Sequence, residues 1–171
     1  NSKASMYAKL LRTPEADLPS LTQQVEIKSI YMDRNNTNTV EEEKVDTYLI
    51  VQRLGGGNAR KIACSKNLSH MKLVPWGGVA AHLNTTSKRV GRAFCFLPLP
   101  AETGLPIHVH GYFELSSNRR NIWFGDDMAG EGAIKANWNV ALLQDVVSPC
   151  YKQLLMEARN SKSPNKYYSL F

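Results

Sequence analysis

The stretch IHVHGYFEL, residues 107–115, decides the fold prediction. Positions 107, 109, 113 and 115 are apolar, whereas the even positions 108, 110 and 114 are polar. Successive side chains of a β-strand point to opposite faces of a sheet, so this alternation is typical of a strand with one buried face. We therefore predict a strand here that covers a hydrophobic core and turns His108, His110 and Glu114 away from it.

Further strands are predicted on the N-terminal side of this stretch. Residues 89–97, RVGRAFCFL, form an apolar run that ends before Pro98 and Pro100, and we predict that this run is a central strand. Residues 45–54, VDTYLIVQRL, are rich in the β-branched and aromatic side chains that strands favour. Shorter strands are predicted at 25–32 and 61–65, and 77–83 is another short apolar run.

Helices are predicted at the two ends of the chain. Residues 133–159 carry an apolar stripe at helical spacing, and Pro149 is expected to kink or divide this helix because it has no backbone N–H to donate. A short helix is predicted at 3–12, and the Asn- and Thr-rich segment 33–39 is predicted to be a loop. The fold class is therefore α+β, with a mainly antiparallel or mixed sheet and helices on one face. The apolar stripe of the helix predicted at 133–159 consists of Trp138, Ala141, Leu142, Val146, Tyr151, Leu154 and Leu155.

The composition describes a globular domain. Hydrophobic residues make up 43% of the 171 residues and charged residues 21%. No apolar run approaches the ~20 residues that a bilayer-spanning helix needs. Cys64, Cys95 and Cys150 are odd in number and widely spaced, so we expect a reducing, cytoplasmic compartment. The chain begins without Met or a signal peptide, and we expect it to be a piece of a longer protein that balances its net charge of +6.

The glycine-rich segment LGGGNARK, residues 54–61, has only some features of a phosphate-binding loop. Such a loop needs backbone N–H groups gathered at a helix N-terminus and a Lys at a fixed spacing. Here no G-K-[ST] sequence occurs, and we predict no helix after the glycines. We therefore predict a hairpin turn and no nucleotide site at this segment.

His108 and His110 are two residues apart, so both rings project from the same face of the predicted strand. Two such imidazoles, with Glu114 further along, are the beginning of a metal site. No nearby Cys or third His completes the ligand set. We therefore predict no metal and interpret the two histidines as solvent-facing or partner-facing residues.

The sequence contains no recognisable catalytic set. There is no G-x-S-x-G sequence, and Cys95 lacks the flanking pattern of a nucleophile, so an acyl-transfer enzyme is disfavoured. Nucleic-acid binding would need basic side chains that share a surface with stacking aromatic rings. The basic residues are dispersed along the sequence, and we therefore interpret them as solvated strand ends. The residues in question are Lys88, Arg89, Arg92, Arg119 and Arg120, with Tyr112 and Trp123 for stacking.

The segment SSNRR, residues 116–120, directly follows the alternating strand. Adjacent arginines at a strand end can bind a carboxylate or phosphate through forked hydrogen bonds. Alternatively, one Arg pairs with Asp126 or Asp127 and fixes the loop. From the residues alone we slightly prefer the second interpretation.

Several long motifs in the chain resemble the sacsin family. They are GRAFCFLPLP at 91–100, TGLPIHVHGYF at 103–113 and NRR at 118–120. MKLVP at 71–75, GVA at 78–80 and the helix around Trp138 with VVSP at 146–149 resemble the same family. The resemblance extends from residue 44 to residue 155 and corresponds to the segment that follows the ATP-binding domain of a sacsin repeat.

The resemblance implies a role beside an ATPase. Sacsin repeats carry a GHKL-type ATP-binding domain similar to that of the ninety-kilodalton heat-shock chaperone. In such chaperones a middle domain lends a positive side chain to the γ-phosphate, which stabilises charge during phosphoryl transfer. By position, Arg119 and Arg120, with Asn118 beside them, are the residues that the resemblance implies for this contact. It also implies a sheet with helices on one face, like the middle domain of GHKL chaperones.

The ATP-binding motifs of the GHKL fold are themselves missing from this sequence. We therefore expect the chain to be no enzyme and to bind neither ATP nor magnesium alone, with both held by an upstream ATP-binding domain of the same protein. Client proteins are the other expected partners. The expected organisation is an N-terminal helix and variable linker region at 1–40, a sacsin-like middle domain at 41–160 and a tail at 161–171. A free-standing protein- or nucleic-acid-binding module is the alternative.

Overall fold

The structure is a computed structural model that describes residues 12–31, 42–84, 90–125 and 129–160. The predicted helix at 3–12 lies outside these residues except for Arg12, and the predicted loop at 33–39 and the tail at 161–171 lie outside them entirely. These three assignments therefore stay predictions, and so does the division of the chain at residues 40 and 160.

One six-stranded sheet organises the described residues. Neighbouring strands are antiparallel except for one parallel pair, β4 with β6, so the sheet is mixed, as predicted. The strands lie in the order β1-β2-β3-β6-β4-β5. They are β1 (Ser20–Tyr31), β2 (Glu42–Leu54), β3 (Trp76–His82), β4 (Arg92–Cys95), β5 (Leu97–Glu102) and β6 (Ile107–Gly111).

Three α-helices accompany the sheet in the part of the chain that the structure describes. They are α1 (Gly57–Ala63), α2 (Glu131–Leu142) and α3 (Ser148–Asn160). A π-helical segment, Leu143–Val147, joins α2 to α3 without a break. The predicted helix at 133–159 is thus confirmed, and the widened turn lies directly before Pro149, where the missing N–H removes a helical hydrogen bond. Short 3₁₀ helices lie at Glu15–Asp17 and Lys66–Met71.

The core lies between the helices and one face of the sheet. The predicted alternation in β6 is confirmed, since Ile107 and Val109 are buried while His108 and His110 are on the opposite face and only partly buried. The predicted stripe of the long helix is also confirmed, with Trp138, Leu142 and Leu154 completely buried. The fold class is therefore α+β, with the helices on one face of a mixed sheet.

The prediction that residues 89–97 form a central strand is wrong. β4 spans only four residues and is the second strand from the edge, with β5 outside it. Phe96 has a φ of 62°, which ends the strand, and the chain then reverses into β5. An apolar run shows that a strand is buried but does not show which strands lie beside it, and here Pro98 and Pro100 restrict β5 to an edge position.

The predicted hairpin turn at 54–58 and return strand at 61–65 are also wrong. The glycines lead directly into helix α1, which begins at Gly57, a residue with a φ of +53°. The carboxylate of Asp145, far along the chain, accepts a hydrogen bond of 2.9 Å from the backbone N–H of Ala59. A distant residue therefore supplies the cap, and the local sequence pattern around the glycines carries no sign of it.

Candidate functional site

The two predicted arginines lie in an exposed turn that is shaped by its own side chains. Leu115 and Ile122 form an isolated bridge, and the turn between them is closed by hydrogen bonds from Ser116 N to Asn121 O and from Arg119 N to Ser116 O. Arg119 and Arg120 are both exposed. Within the described residues neither guanidinium forms an ion pair. Asp126 and Asp127, the alternative partners, lie outside the described residues.

Asn118 has a structural part in this turn, which we call the arginine turn (116–121). Its Oδ1 accepts hydrogen bonds from Ser116 Oγ at 2.6 Å and from the backbone N–H of Arg120 at 3.1 Å. An Asn side chain that accepts the N–H two residues on is an Asx-turn, and it replaces a backbone hydrogen bond. Arg119 consequently adopts a φ of +55°, an uncommon conformation for a residue with a side chain. Asn118 thus orients the two arginines.

The arginine turn is fixed to the core by Asn139 of α2. This buried amide accepts a hydrogen bond from Glu114 N and donates hydrogen bonds to Glu114 O and Trp123 O, each at 2.8 Å. Its neighbour Trp138 donates from Nε1 to Tyr112 O, also at 2.8 Å. The two sides of the turn are therefore held by adjacent residues of one helix. Asn139 is not among the residues predicted from the sequence, although a polar residue inside the apolar stripe was the available signal.

The glycine-rich segment lies against carboxylates in the folded chain. A Cβ added to Gly57 would lie 2.7 Å from the carboxylate of Asp145, and one added to Gly56 would meet the side chain of Glu15. Two of the chain's own acidic groups therefore lie where a phosphate would have to bind. The segment is thus a helix N-terminus beside two carboxylates and not a hairpin turn, and the expected absence of a nucleotide site stays a prediction.

His108 and His110 lie on the same face of β6, as predicted, and both rings accept hydrogen bonds from the backbone. His108 Nδ1 accepts from Arg92 N at 3.1 Å, and His110 Nε2 accepts from Phe96 N at 3.2 Å. A nitrogen lone pair that accepts a hydrogen bond is not available to a metal. Within the described residues no group of three His, Cys, Asp or Glu side chains could hold a metal ion.

The hydrogen bond to His110 fixes its tautomer. Because Nε2 is the acceptor, the neutral ring carries its proton on Nδ1, which is buried without a hydrogen-bond partner. Burial lowers the pKa of His110 below its ordinary value of 6.5. The structure therefore holds His110 as a neutral hydrogen-bond acceptor that positions the backbone at the end of β4.

Aromatic rings fill one end of the sheet face that the described helices leave uncovered. Phe96 contacts His110 and Tyr112 with ring centroids 5.6 Å and 5.0 Å apart, and Trp76 contacts the same two rings at 5.3 Å and 5.8 Å. Phe94 packs edge-on against His108 at 5.4 Å. Phe96 is 68% exposed, so this aromatic cluster presents apolar surface to solvent. We define the aromatic cluster as Trp76, Phe94, Phe96, His108, His110 and Tyr112.

The same face carries charge at its other end. The ring of His82 stacks on Tyr48 with centroids 4.8 Å apart, and His82 Nε2 lies 2.9 Å from Asp46 Oδ1. Lys44 Nζ lies 3.1 Å from the other carboxylate oxygen of Asp46. The hydrogen bond from Lys44 and its nearby positive charge, with a smaller contribution from the adjacent His82, hold the pKa of Asp46 below its ordinary value. The uncovered face is thus aromatic at one end and charged at the other.

The three cysteines have the properties of unreactive thiols. Burial raises the pKa of Cys95 and of Cys64, and it raises the pKa of Cys150 to about 11. A thiol must lose its proton to act as a nucleophile, so a raised pKa makes it a poor one. The geometry therefore gives no support to a Cys-dependent reaction.

The residues proposed for nucleic-acid stacking do not share a surface. Tyr112 lies in the aromatic cluster on the uncovered sheet face. Trp123 lies beside α2, where Lys135 Nζ is 5.8 Å from its ring centroid. Lys88 and Arg89 lie outside the described residues. The structure therefore does not assemble a joint platform from Tyr112 and Trp123.

The comparison with known proteins identifies the relationship. An alignment of 155 residues is 36% identical to human Sacsin and covers 86% of this chain. The chain is sacsin-like. It spans only 3% of the length of Sacsin, so the activity of that whole protein does not transfer to it directly.

No family model matches the sacsin-like chain, and no solved structure matches it. The predicted resemblance to the sacsin family is confirmed, whereas the predicted resemblance to the middle domain of GHKL chaperones stays a prediction. None of the described helices is both long and apolar enough to cross a membrane.

Proposed function

We propose that the chain is a non-catalytic segment of an ATP-dependent, sacsin-like chaperone of the cytoplasm. In this proposal an upstream domain of the same protein binds ATP and magnesium, and client proteins are the other partners. The segment supports that domain as the middle domain of a GHKL chaperone does. The arginine turn is the observation that carries the proposal.

Charge and exposure make the arginine turn suitable for a phosphate group. A guanidinium presents several N–H donors in a planar fork that matches the oxygens of a phosphate, and it stays protonated at any physiological pH. Arg119 and Arg120 are exposed and adjacent, and the described structure gives neither a carboxylate partner that would have to be displaced. A nucleotide bound by a neighbouring domain would therefore find two available positive groups.

Rigidity is the second support for this role. A group that stabilises a transition state must be in place before the reaction, since reorganisation at that moment costs energy. The base of the turn is held by the buried Asn139 and by Trp138, and its tip is held by Asn118. The two guanidinium groups thus extend from a backbone that is fixed on both sides.

Single substitutions in the full-length protein test this role. We expect Arg119→Ala or Arg120→Ala to lower ATP turnover by about 10²-fold, as the loss of a preorganised charge does in other active sites. The thermal unfolding midpoint should not change. Arg159→Ala is the matched control, because Arg159 is also exposed but lies at the end of α3. Normal turnover in both turn variants would reject the proposed role of the arginines.

A second candidate function is a module that binds proteins through the aromatic cluster. Exposed aromatic side chains are common anchors of protein interfaces, and Phe96 is largely exposed while its neighbours are half-buried. A binding assay tests this candidate, with a permanently unfolded polypeptide such as reduced and alkylated lactalbumin as the probe. Phe96→Ala should weaken its binding, whereas Met156→Ala, which removes an exposed apolar side chain of α3, should not. Equal binding by both variants would remove this candidate.

A further inference from the structure

The two edges of the sheet differ in their capacity to accept another strand. At one edge, β5 contains Pro98 and Pro100, both exposed, which have no backbone N–H to donate. At the other edge, β1 runs for 12 residues without a proline, and no described strand pairs with its outer side. Proteins normally protect such an edge, because a row of free backbone groups is a template for another chain.

The register of β1 shows which of its residues turn their backbone groups outward. Leu54 N donates to Pro19 O at 3.0 Å, and the register pairs Ser20 with Arg53. Hydrogen-bonded pairs alternate along an antiparallel ladder, so the odd residues of β1 bond to β2. The even residues therefore direct their N–H and C=O groups to the free edge. They are Ser20, Thr22, Gln24, Glu26, Lys28 and Ile30.

The side chains of β1 are complementary to a second copy of the same strand. We propose that two copies of this chain associate through antiparallel pairing of their β1 strands, with a two-fold axis at Ile27. Glu26 then lies directly opposite Lys28 of the second copy, and Lys28 lies opposite Glu26 of the second copy. Opposite charges in directly facing positions stabilise a strand pair.

This register also agrees with the exposure of Ile27 and with the direction of the backbone hydrogen-bonding groups of β1. Ile27 is 50% exposed in the single chain, and in the dimer it packs against Ile27 of the second copy. Glu26 and Lys28 are both exposed and both even-numbered, so they form a hydrogen-bonded pair in the new ladder. Moving the two-fold axis by one residue, to Glu26, places the two Glu26 carboxylates opposite each other, and like charges in that position are unfavourable.

The existing ion pair of Lys28 is compatible with this arrangement. Lys28 Nζ lies 2.8 Å from Glu43 Oε1 on β2, and both side chains are about half exposed. An exposed pair of this kind contributes little to stability and leaves the ammonium two further N–H donors. Lys28 can therefore contact Glu43 of its own chain and Glu26 of the second copy together.

Assembly through β1 ends at a dimer. A two-fold axis uses the same edge of both copies, so both free edges are consumed at once. The outer edges of the joined sheet are then the two β5 strands, whose Pro98 and Pro100 block further pairing. We therefore expect a discrete dimer and no filament.

Charge reversal at Glu26 or Lys28 provides the test. The association of the 171-residue chain is measured by sedimentation equilibrium at low ionic strength. The wild type should show a reversible monomer–dimer equilibrium. Glu26→Lys and Lys28→Glu each turn two attractive contacts into two repulsive ones, and each should lower the association constant by at least about tenfold, or about 1.4 kcal/mol. An equimolar mixture of the two variants should restore the dimer, because every facing pair in the heterodimer is again of opposite charge.

Two controls show whether the effect of charge reversal is specific to the β1 edge. Glu102→Lys reverses an exposed charge on β5, the opposite edge strand, and should leave the association constant unchanged. Circular dichroism of each variant checks that the fold is retained. A monomeric wild type at all concentrations, an undiminished dimer of Lys28→Glu, or no recovery in the mixture would each overturn the proposal.

Discussion

The two faces of β6 show how one strand divides its residues between a packed core and a half-exposed surface. Ile107 and Val109 point into the core beneath the helices, whereas His108 and His110 point to the uncovered face. On the covered face the contacts are apolar and closely packed. On the uncovered face the same strand offers ring nitrogens and aromatic edges. Among the described residues the buried core therefore lies on one side of the sheet, and the other side presents half-buried and exposed aromatic rings.

The largest effect is expected from removing an aromatic ring from the core on the covered side of the sheet. Trp138→Ala deletes a completely buried side chain and its hydrogen bond to Tyr112, and it should lower the free energy of unfolding by about 3–5 kcal/mol. Phe96→Ala on the uncovered face should cost less than about 1 kcal/mol, since its ring is mostly in water. Urea unfolding of both variants measures the difference, and equal losses would show that the two faces contribute alike.

An intermediate effect is expected at the amide that links α2 to the arginine turn. Asn139→Ala removes the partner of the Glu114 N–H and of the Trp123 C=O, while the Glu114 C=O keeps only its hydrogen bond from Trp123 N, and the change should cost about 2–3 kcal/mol. Asn137→Ala on the exposed side of the same helix is the control, and it should change stability by less than about 0.5 kcal/mol. Faster hydrogen exchange at residues 114–123 in Asn139→Ala alone would localise the effect, and unchanged exchange would contradict the anchoring role.

The smallest effect is a pH dependence from the uncovered face. Burial lowers the pKa of His110 in the folded chain, so the unfolded chain binds a proton first as the pH falls below 6.5. The stability contributed by neutral His110 is fully present above pH 6.5 and is lost as the pH falls through the folded-state pKa. His110→Gln keeps an acceptor for Phe96 N without titrating, and its unfolding free energy should fall less over this range. If the free energy of unfolding has the same pH dependence in wild type and variant, the assignment of His110 as a neutral hydrogen-bond acceptor is contradicted.

The parts of the fold that the sequence predicted correctly depend on local periodicity. The alternation at 107–115 and the stripe at 133–159 are set by the period of each element, and a single buried face is enough to produce them. The position of β4 and the existence of α1 depend on neighbours far along the chain. Asp145 caps α1, and Phe96 ends β4 with an unusual backbone angle. Neither feature can be recognised from the residues that are adjacent to it in sequence.

The sequence named the arginines of the candidate site but not the residues that hold them, and their contact with a nucleotide stays a prediction. The resemblance pointed to Arg119 and Arg120, and both are exposed as a contact with a neighbour requires. Asn118 was grouped with them as a phosphate contact, whereas its side chain is used within the turn. Asn139 was missed because its partners come from a segment 16 to 25 residues earlier in the chain. The sequence thus indicated the exposed groups but not the buried residue that holds them.

ATP turnover measured side by side for the isolated 171-residue chain and for the full-length protein tests the central claim most directly. The claim is that this chain contributes charge to a nucleotide that another domain binds. It predicts no turnover by the isolated chain, and turnover by the full-length protein that falls when Arg119 and Arg120 are both replaced by Ala. Turnover by the isolated chain, or full-length turnover that is insensitive to the double substitution, would contradict it.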